Sequence, residues 1–167
     1  MNRQTKAIVN IVTAAVIIFI ISIAVYFIGI KFLEEDILAK AGLVHEDAIT
    51  DWEDAYYLLV KYMGFIAGAI LILWTALTHW AFHTSSSTEI GKRWIWVLLG
   101  IILIAACVLF PANVEYHGET LAKQKYINEY VQLLFGICYG LFGYWGGSIL
   151  VTSDDFKYTP LLAIYFK

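Results

Sequence analysis

A chain of 167 residues that is 60% hydrophobic and only 15% charged, with a mean hydropathy of +0.71, holds more apolar surface than a soluble domain of that size can hide, so a bilayer has to cover it. The length leaves no room for a separate globular domain, and the net charge of −3 informs only once it is divided between the two sides of the membrane. Cys107 and Cys138 both lie inside apolar runs, which argues for small free core residues and against a disulfide framework or a metal site.

Met1 to Lys6 is short and basic, and Ala7 to Ile30 follows with 24 uncharged residues. At about 1.5 Å per residue that run crosses a hydrocarbon core of about 30 Å with some tilt, and it is too long for a signal-peptide core. Helix 1 is therefore expected over about 7–41, retained as an anchor and stopped at Gly42. The stretch Lys31 to Asp54 then holds eight acids, Glu34, Glu35, Asp36, Glu46, Asp47, Asp51, Glu53 and Asp54, against Lys31 and Lys40. Thr50 followed three residues later by Glu53 fits a capping box. Helix 2 is accordingly expected over about 50–82, so that helices 1 and 2 leave the bilayer together as an acidic hairpin.

Within helix 2, Trp52, Tyr56 and Tyr57 suit one headgroup belt and Trp74 and Trp80 the other. Gly64 and Gly68 form a GxxxG pair, and Leu71, Thr75 and Thr78 continue its face. Lys61, about a turn inside the boundary, suits a side chain that snorkels to the headgroups. His79 and His83 have the i, i+4 spacing of a pair of metal ligands, but no third ligand stands nearby, and interfacial histidines are the expectation. A polar Ser/Thr-containing connection ends in Lys92 and Arg93. Helix 3, expected over about 93–112, is uniformly apolar from Trp94 to Phe110 and meets Pro111 at its end.

From Glu119 the pattern turns helical again, and helix 4 is expected over about 119–153, entering the membrane at Tyr130. Its 22-residue apolar run to Val151 is punctuated by Gly136, Gly140, Gly143 and Gly147, which at about 100° per residue fall within roughly 60° of one another. In lipid such a stripe lets a second backbone approach closely, either another helix of the same chain or one of a second copy. Glu129 and Gln132 before the stripe and Asp154 after it share the register. The inner tail 154–167 offers Thr159 before Pro160 as a cap and first helical position.

The cations near the spans divide as Arg3, Lys6, Lys92, Arg93, Lys157 and Lys167 on one side and Lys31, Lys40, Lys123 and Lys125 on the other, with Lys61 at the latter edge, a small bias. That bias points to both termini in the cytoplasm and the acidic hairpin outside. The fold class is thus an all-α integral membrane protein of four transmembrane helices forming one domain, with helices 1, 2 and 4 extended beyond the bilayer on the outer side.

Helices 1, 3 and 4 hold no Asp, Glu, Lys, Arg or His in their central turns, which argues against an intramembrane enzyme and an ion-coupled carrier. No catalytic residue, cofactor site or metal site is assigned, and the scattered basic residues make no nucleic-acid surface. The expected partners are membrane lipid, further copies of the chain and a cytosolic protein. In general build, a small set of spans with a chemically blank interior, the chain is similar to bacterial toxin-immunity proteins and to membrane subunits of phage-defence systems. That likeness implies a non-enzymatic inner-membrane sensor or scaffold. The alternative is an oligomeric cation-preferring channel with Glu129, Gln132 and Asp154 at its mouths.

Overall fold

A computed structural model describes residues 2–33, 46–84, 89–113, 115–116, 119–120, 125–156 and 159–160. Among these the architecture is all-helical apart from one two-residue ladder. α1 runs Arg3–Ile28 and widens into a π-helical turn over Gly29–Leu33. α2 runs Glu46–Ala76 and continues through a wide turn, Leu77–Ala81, to Phe82–Thr84. α3 runs Glu89–Asn113. The strands β1 (Glu115–Tyr116) and β2 (Glu119–Thr120) pair antiparallel, with Glu115 opposite Thr120 and Tyr116 opposite Glu119. α4 is a continuous helical run built from Lys125–Phe135, a π-helical stretch Gly136–Gly146 and Gly147–Val151. Four helical stretches are long and apolar enough to cross a membrane: Arg3–Lys31, Glu53–Ala81, Glu89–Asn113 and Glu129–Val151.

Local chemistry accounts for several of the helix ends. Asn2 caps α1, its Oδ1 accepting from the Thr5 amide and the Thr5 hydroxyl, both at 2.8 Å, a cap that contributes about 1 kcal/mol. α2 is already helical at Glu46, so Thr50 lies inside the helix and is not its cap. α3 starts with Glu89 in its first turn, where the helix dipole favours an acid. Pro111 does not stop α3 but sits in its last turn, and the Asn113 side-chain amide donates to the Leu109 carbonyl at 2.6 Å. α4 begins at Lys125, six residues after the expected start, because Glu119 and Thr120 are spent on the ladder with β1.

α2 is the central helix and touches α1, α3 and α4. Its buried face reads Tyr56, Val60, Met63, Ala67, Leu71, Trp74, Thr78, a run of three- and four-residue steps that keeps one face inward. α1 buries Ala7, Ala14, Ile18 and Val25, and α3 buries Trp96, Leu99, Leu103 and Cys107. Leu59, Met63, Leu71, Leu103 and Phe135 are fully enclosed in the middle of the bundle. The outward faces stay apolar: Phe19 and Phe65 are each 66% exposed, an arrangement compatible with lipid contact.

Glu34, Glu35 and Asp36 of the acidic stretch, and residues 161–167 of the tail, lie outside the described residues. Glu46, Asp47 and Asp51 fall on the first turns of α2, followed by Glu53 and the exposed Asp54.

Candidate functional site

Polar side chains gather at two levels of the bundle, one near each end. The fuller level joins the start of α1, the end of α2, the start of α3 and the end of α4; we call it the terminal end, because residues 6 and 154 meet there. Asn10 is its hub. The Asn10 amide nitrogen lies 3.0 Å from His79 Nε2 and donates to the Val151 carbonyl at 2.9 Å. Arg3 Nε donates to the His79 carbonyl at 3.1 Å. Lys6 pairs with Asp154. The first helix thus holds the second and the fourth.

A second set ties α2, α3 and α4. Trp74 Nε1 donates to Thr152 Oγ1 at 2.8 Å, and Trp96 Nε1 donates to Ser148 Oγ at 3.0 Å. Ser148 in turn donates to the Trp145 carbonyl at 2.9 Å, and the Thr152 hydroxyl donates to the Ser148 carbonyl. The Tyr144 hydroxyl donates to the Trp96 carbonyl at 2.7 Å, and its ring stacks on Trp96 with centroids 5.6 Å apart. Beyond the helices, the turn Asp154–Phe156 folds back so that the Lys92 ammonium lies 4.6 Å from the Phe156 ring centre and 5.7 Å from that of Phe82. Each such contact contributes about 0.5–2 kcal/mol according to how dry it is. His83 is edge-on to Phe156 at 4.9 Å, with Nε2 3.4 Å from Asp155 Oδ2 but not aligned for a hydrogen bond.

The level near the opposite, hairpin end is sparser. The Tyr56 hydroxyl donates to the Val25 carbonyl at 2.7 Å, and its ring crosses α1 where Gly29 leaves room; a Cβ at Gly29 would collide with that ring. The Tyr139 hydroxyl donates to the Val60 carbonyl at 3.2 Å and lies 3.0 Å from Ser22 Oγ. Gln132 Nε2 donates to the Val108 carbonyl at 3.1 Å.

The glycines do not share one environment. A Cβ on Gly143 would stand 3.1 Å from Ile18 Cδ1, and one on Gly147 3.0 Å from Leu71 Cδ2. These two seat α4 against α1 and α2 of the same chain. Gly140 would meet only Ile104 at 3.9 Å, and Gly136 has nothing within 4 Å. The split follows from the wide winding of Gly136–Gly146. An i→i+5 helix turns less per residue than 100°, and over the seven steps from Gly136 to Gly143 a shortfall of roughly 15–20° each amounts to about a third of a turn. The space beside Gly64 is filled by Ser22, whose Oγ is 2.6 Å from where a Cβ would stand, and Gly68 faces Ile18 at 3.8 Å.

Of the three residues expected at a pore mouth, Gln132 is bonded to α3 and Asp154 to Lys6, while Glu129 is exposed at the hairpin end of α4. His79 and His83 point to different partners, and among the described residues no three His, Cys, Asp or Glu side chains are gathered as a metal would need. Tyr56 and Trp74 leave the headgroup belts to which they were expected to belong: they are 3% and 0% exposed and bond across the interior. Tyr57 and Trp80 are exposed. Sequence reasoning passed over Asn10, Ser22, Ser148 and Thr152. The signal for the first two was present, since each is an isolated polar side chain in an otherwise apolar run, and a polar group at that depth needs a partner on another helix.

By length and composition the four apolar helices are compatible with a multi-pass membrane protein. Comparison with protein families, with curated proteins and with solved structures finds no match to this chain.

Proposed function

We propose that the protein is a non-enzymatic, self-associating scaffold or sensor of a bacterial inner membrane, with residues 3 and 154 on the cytoplasmic side and the acidic hairpin, together with the first turns of α2 and α4, outside. The observation that carries this reading is the terminal end. There the side chains of Arg3, Lys6, Asn10, Trp74, His79, Lys92, Trp96, Ser148, Thr152 and Asp154 are used to fasten helix to helix. The result is a stiff face on which Arg3, Arg93, Asp154 and Asp155 remain exposed, suited to a cytosolic protein partner of mixed charge. The basic residues on that face, Arg3, Lys6, Lys92 and Arg93, support this orientation. A role in antiviral defence or immunity remains an analogy of build.

Self-association is assigned to the outward side of α4 at Gly136 and Gly140, where small residues stand open beside the exposed Leu133, Ile137 and Leu141. Native mass spectrometry of the wild type and of Gly136→Leu with Gly140→Leu tests it. A discrete oligomer that the double substitution reduces to monomer, with the unfolding midpoint unchanged, supports the reading; a monomeric wild type overturns it. The channel alternative rests on Glu129, and a cation-selective conductance in a planar bilayer that Glu129→Ala abolishes would replace the scaffold with a channel.

A further inference from the structure

A trough of about 660 Å³ opens sideways between α1 and α2, on the side of that pair away from α3 and α4. Its walls are Ala15, Phe19 and Ile23 of α1 and Phe65, Ala69 and Ile72 of α2, and Gly64 and Gly68 lower its floor. The volume falls in the usual range of about 300–1,000 Å³ for small-molecule sites. From Ala15 to Phe27 the trough runs twelve residues along α1, about 18 Å. One leaflet of a hydrocarbon core is about half of 30 Å thick, so the trough has the length of one leaflet and not of a whole membrane.

The hairpin end of the trough is different in kind. Lys61 lines it there together with Tyr57 and Tyr26, whose rings meet edge to face at 5.9 Å. Lys61 is exposed and makes no ion pair among the described residues. It stands eight residues after Glu53, where the 29-residue α2 stretch begins; at about 1.5 Å per residue that stretch overhangs a core of about 30 Å at both ends, which leaves Lys61 about a turn inside the boundary. A cation at that depth calls for an anion or for the headgroup layer. A second copy offers no such anion, because acidic residues of the four spans lie only at their ends, Glu53, Asp54, Glu89 and Glu129.

We infer that the α1–α2 trough is a binding site for one acyl chain of an anionic phospholipid from the leaflet at the hairpin end, with the lipid phosphate held at Lys61. The two tyrosines border the ester region, where amphipathic rings are favoured. The site depends only on insertion of the bundle in a bilayer and is independent of the scaffold reading.

The test is native mass spectrometry of the full chain in detergent, titrated with phosphatidylglycerol or with phosphatidylcholine. The wild type is expected to keep one phosphatidylglycerol per chain in preference to phosphatidylcholine. Lys61→Gln removes that preference, lowering phosphatidylglycerol retention by about five-fold, the worth of one lysine near an anionic surface. Ala69→Trp fills the trough from an exposed wall position and loses both lipids; should that variant fail to fold, Ala15→Phe closes the trough from the other wall. Equal retention of the two lipids by the wild type, or retention of phosphatidylglycerol by a folded, trough-filled variant, overturns the site. So does a lipid-free dimer that the trough-filling change dissolves, since the occupant would then be a second copy.

Discussion

Replacing Asn10 by Leu tests the terminal end at its hub. The substitution removes two interhelical hydrogen bonds at once, one to His79 Nε2 and one to the Val151 carbonyl, and leaves the shape of the side chain nearly unchanged. Hydrogen bonds between membrane helices average about 0.6 kcal/mol and reach about 1.7, so the pair is worth about 1–3 kcal/mol. Against a typical total stability of about 5–15 kcal/mol that is a large share, a factor of roughly 5 to 150 in the unfolding equilibrium. The fully buried residues of α1 are few, Ala7, Ala14, Ile18 and Val25, so apolar packing alone does not make up the difference. Reversible unfolding by steric trapping in bicelles measures it. Asn10→Leu with His79→Phe completes a double-mutant cycle in which the two single losses should not add. A loss under about 0.3 kcal/mol for Asn10→Leu, half of one average bond, would refute the account of Asn10 as the tie between α1 and the rest of the bundle.

Two further predictions concern packing. Gly143→Ala presses its methyl group on Ile18 and Ile21 and should cost about 1–3 kcal/mol by overpacking, whereas Gly136→Ala has open space and should stabilise by about 0.5–1 kcal/mol through reduced backbone freedom in the unfolded chain; equal signs in the same unfolding assay would contradict the rotated stripe. Trp74→Phe and Thr152→Val should each destabilise, and their cycle should return a coupling of about 0.5–1.5 kcal/mol for the buried Trp74–Thr152 bond; a coupling indistinguishable from zero would mean that the bond contributes nothing net.

How much of this could be read in advance divides along physical lines. The existence of the four helices followed from hydropathy, because a bilayer imposes a length and a polarity that are written residue by residue, as in Ala7 to Ile30. The ends of α2 and α4 depended on competition with neighbours: Glu119 and Thr120 have a helical pattern around them, yet pair with Glu115 and Tyr116. The stripe on α4 was legible as composition and not as geometry, since its projection assumes 100° per residue and Gly136–Gly146 is wound more loosely. Aromatic residues were the hardest to place. Trp74, Trp96, Tyr56 and Tyr144 carry the same amphipathic rings as Tyr57, Trp80 and Trp94, and nothing in the ring itself says whether its polar atom meets water or a carbonyl on the next helix. The three- and four-residue steps from Tyr56 through Met63, Leu71 and Trp74 to Thr78 do say so, once the face is followed as a whole.

The tie between Asn10 and Val151 spans 141 positions of the chain, and this sets a timetable for assembly. A polypeptide grows at about 5–20 residues per second, so roughly 7–28 seconds separate the synthesis of the two partners. Throughout that interval the first helix is in place without its last one, and the Asn10 amide has to be kept hydrated at the membrane border or borrowed by His79, which is made earlier. The same delay holds for Lys6 and Asp154. Closure of the terminal end therefore waits for the fourth helix, and the face proposed to receive a partner comes into being only when all four helices have been made.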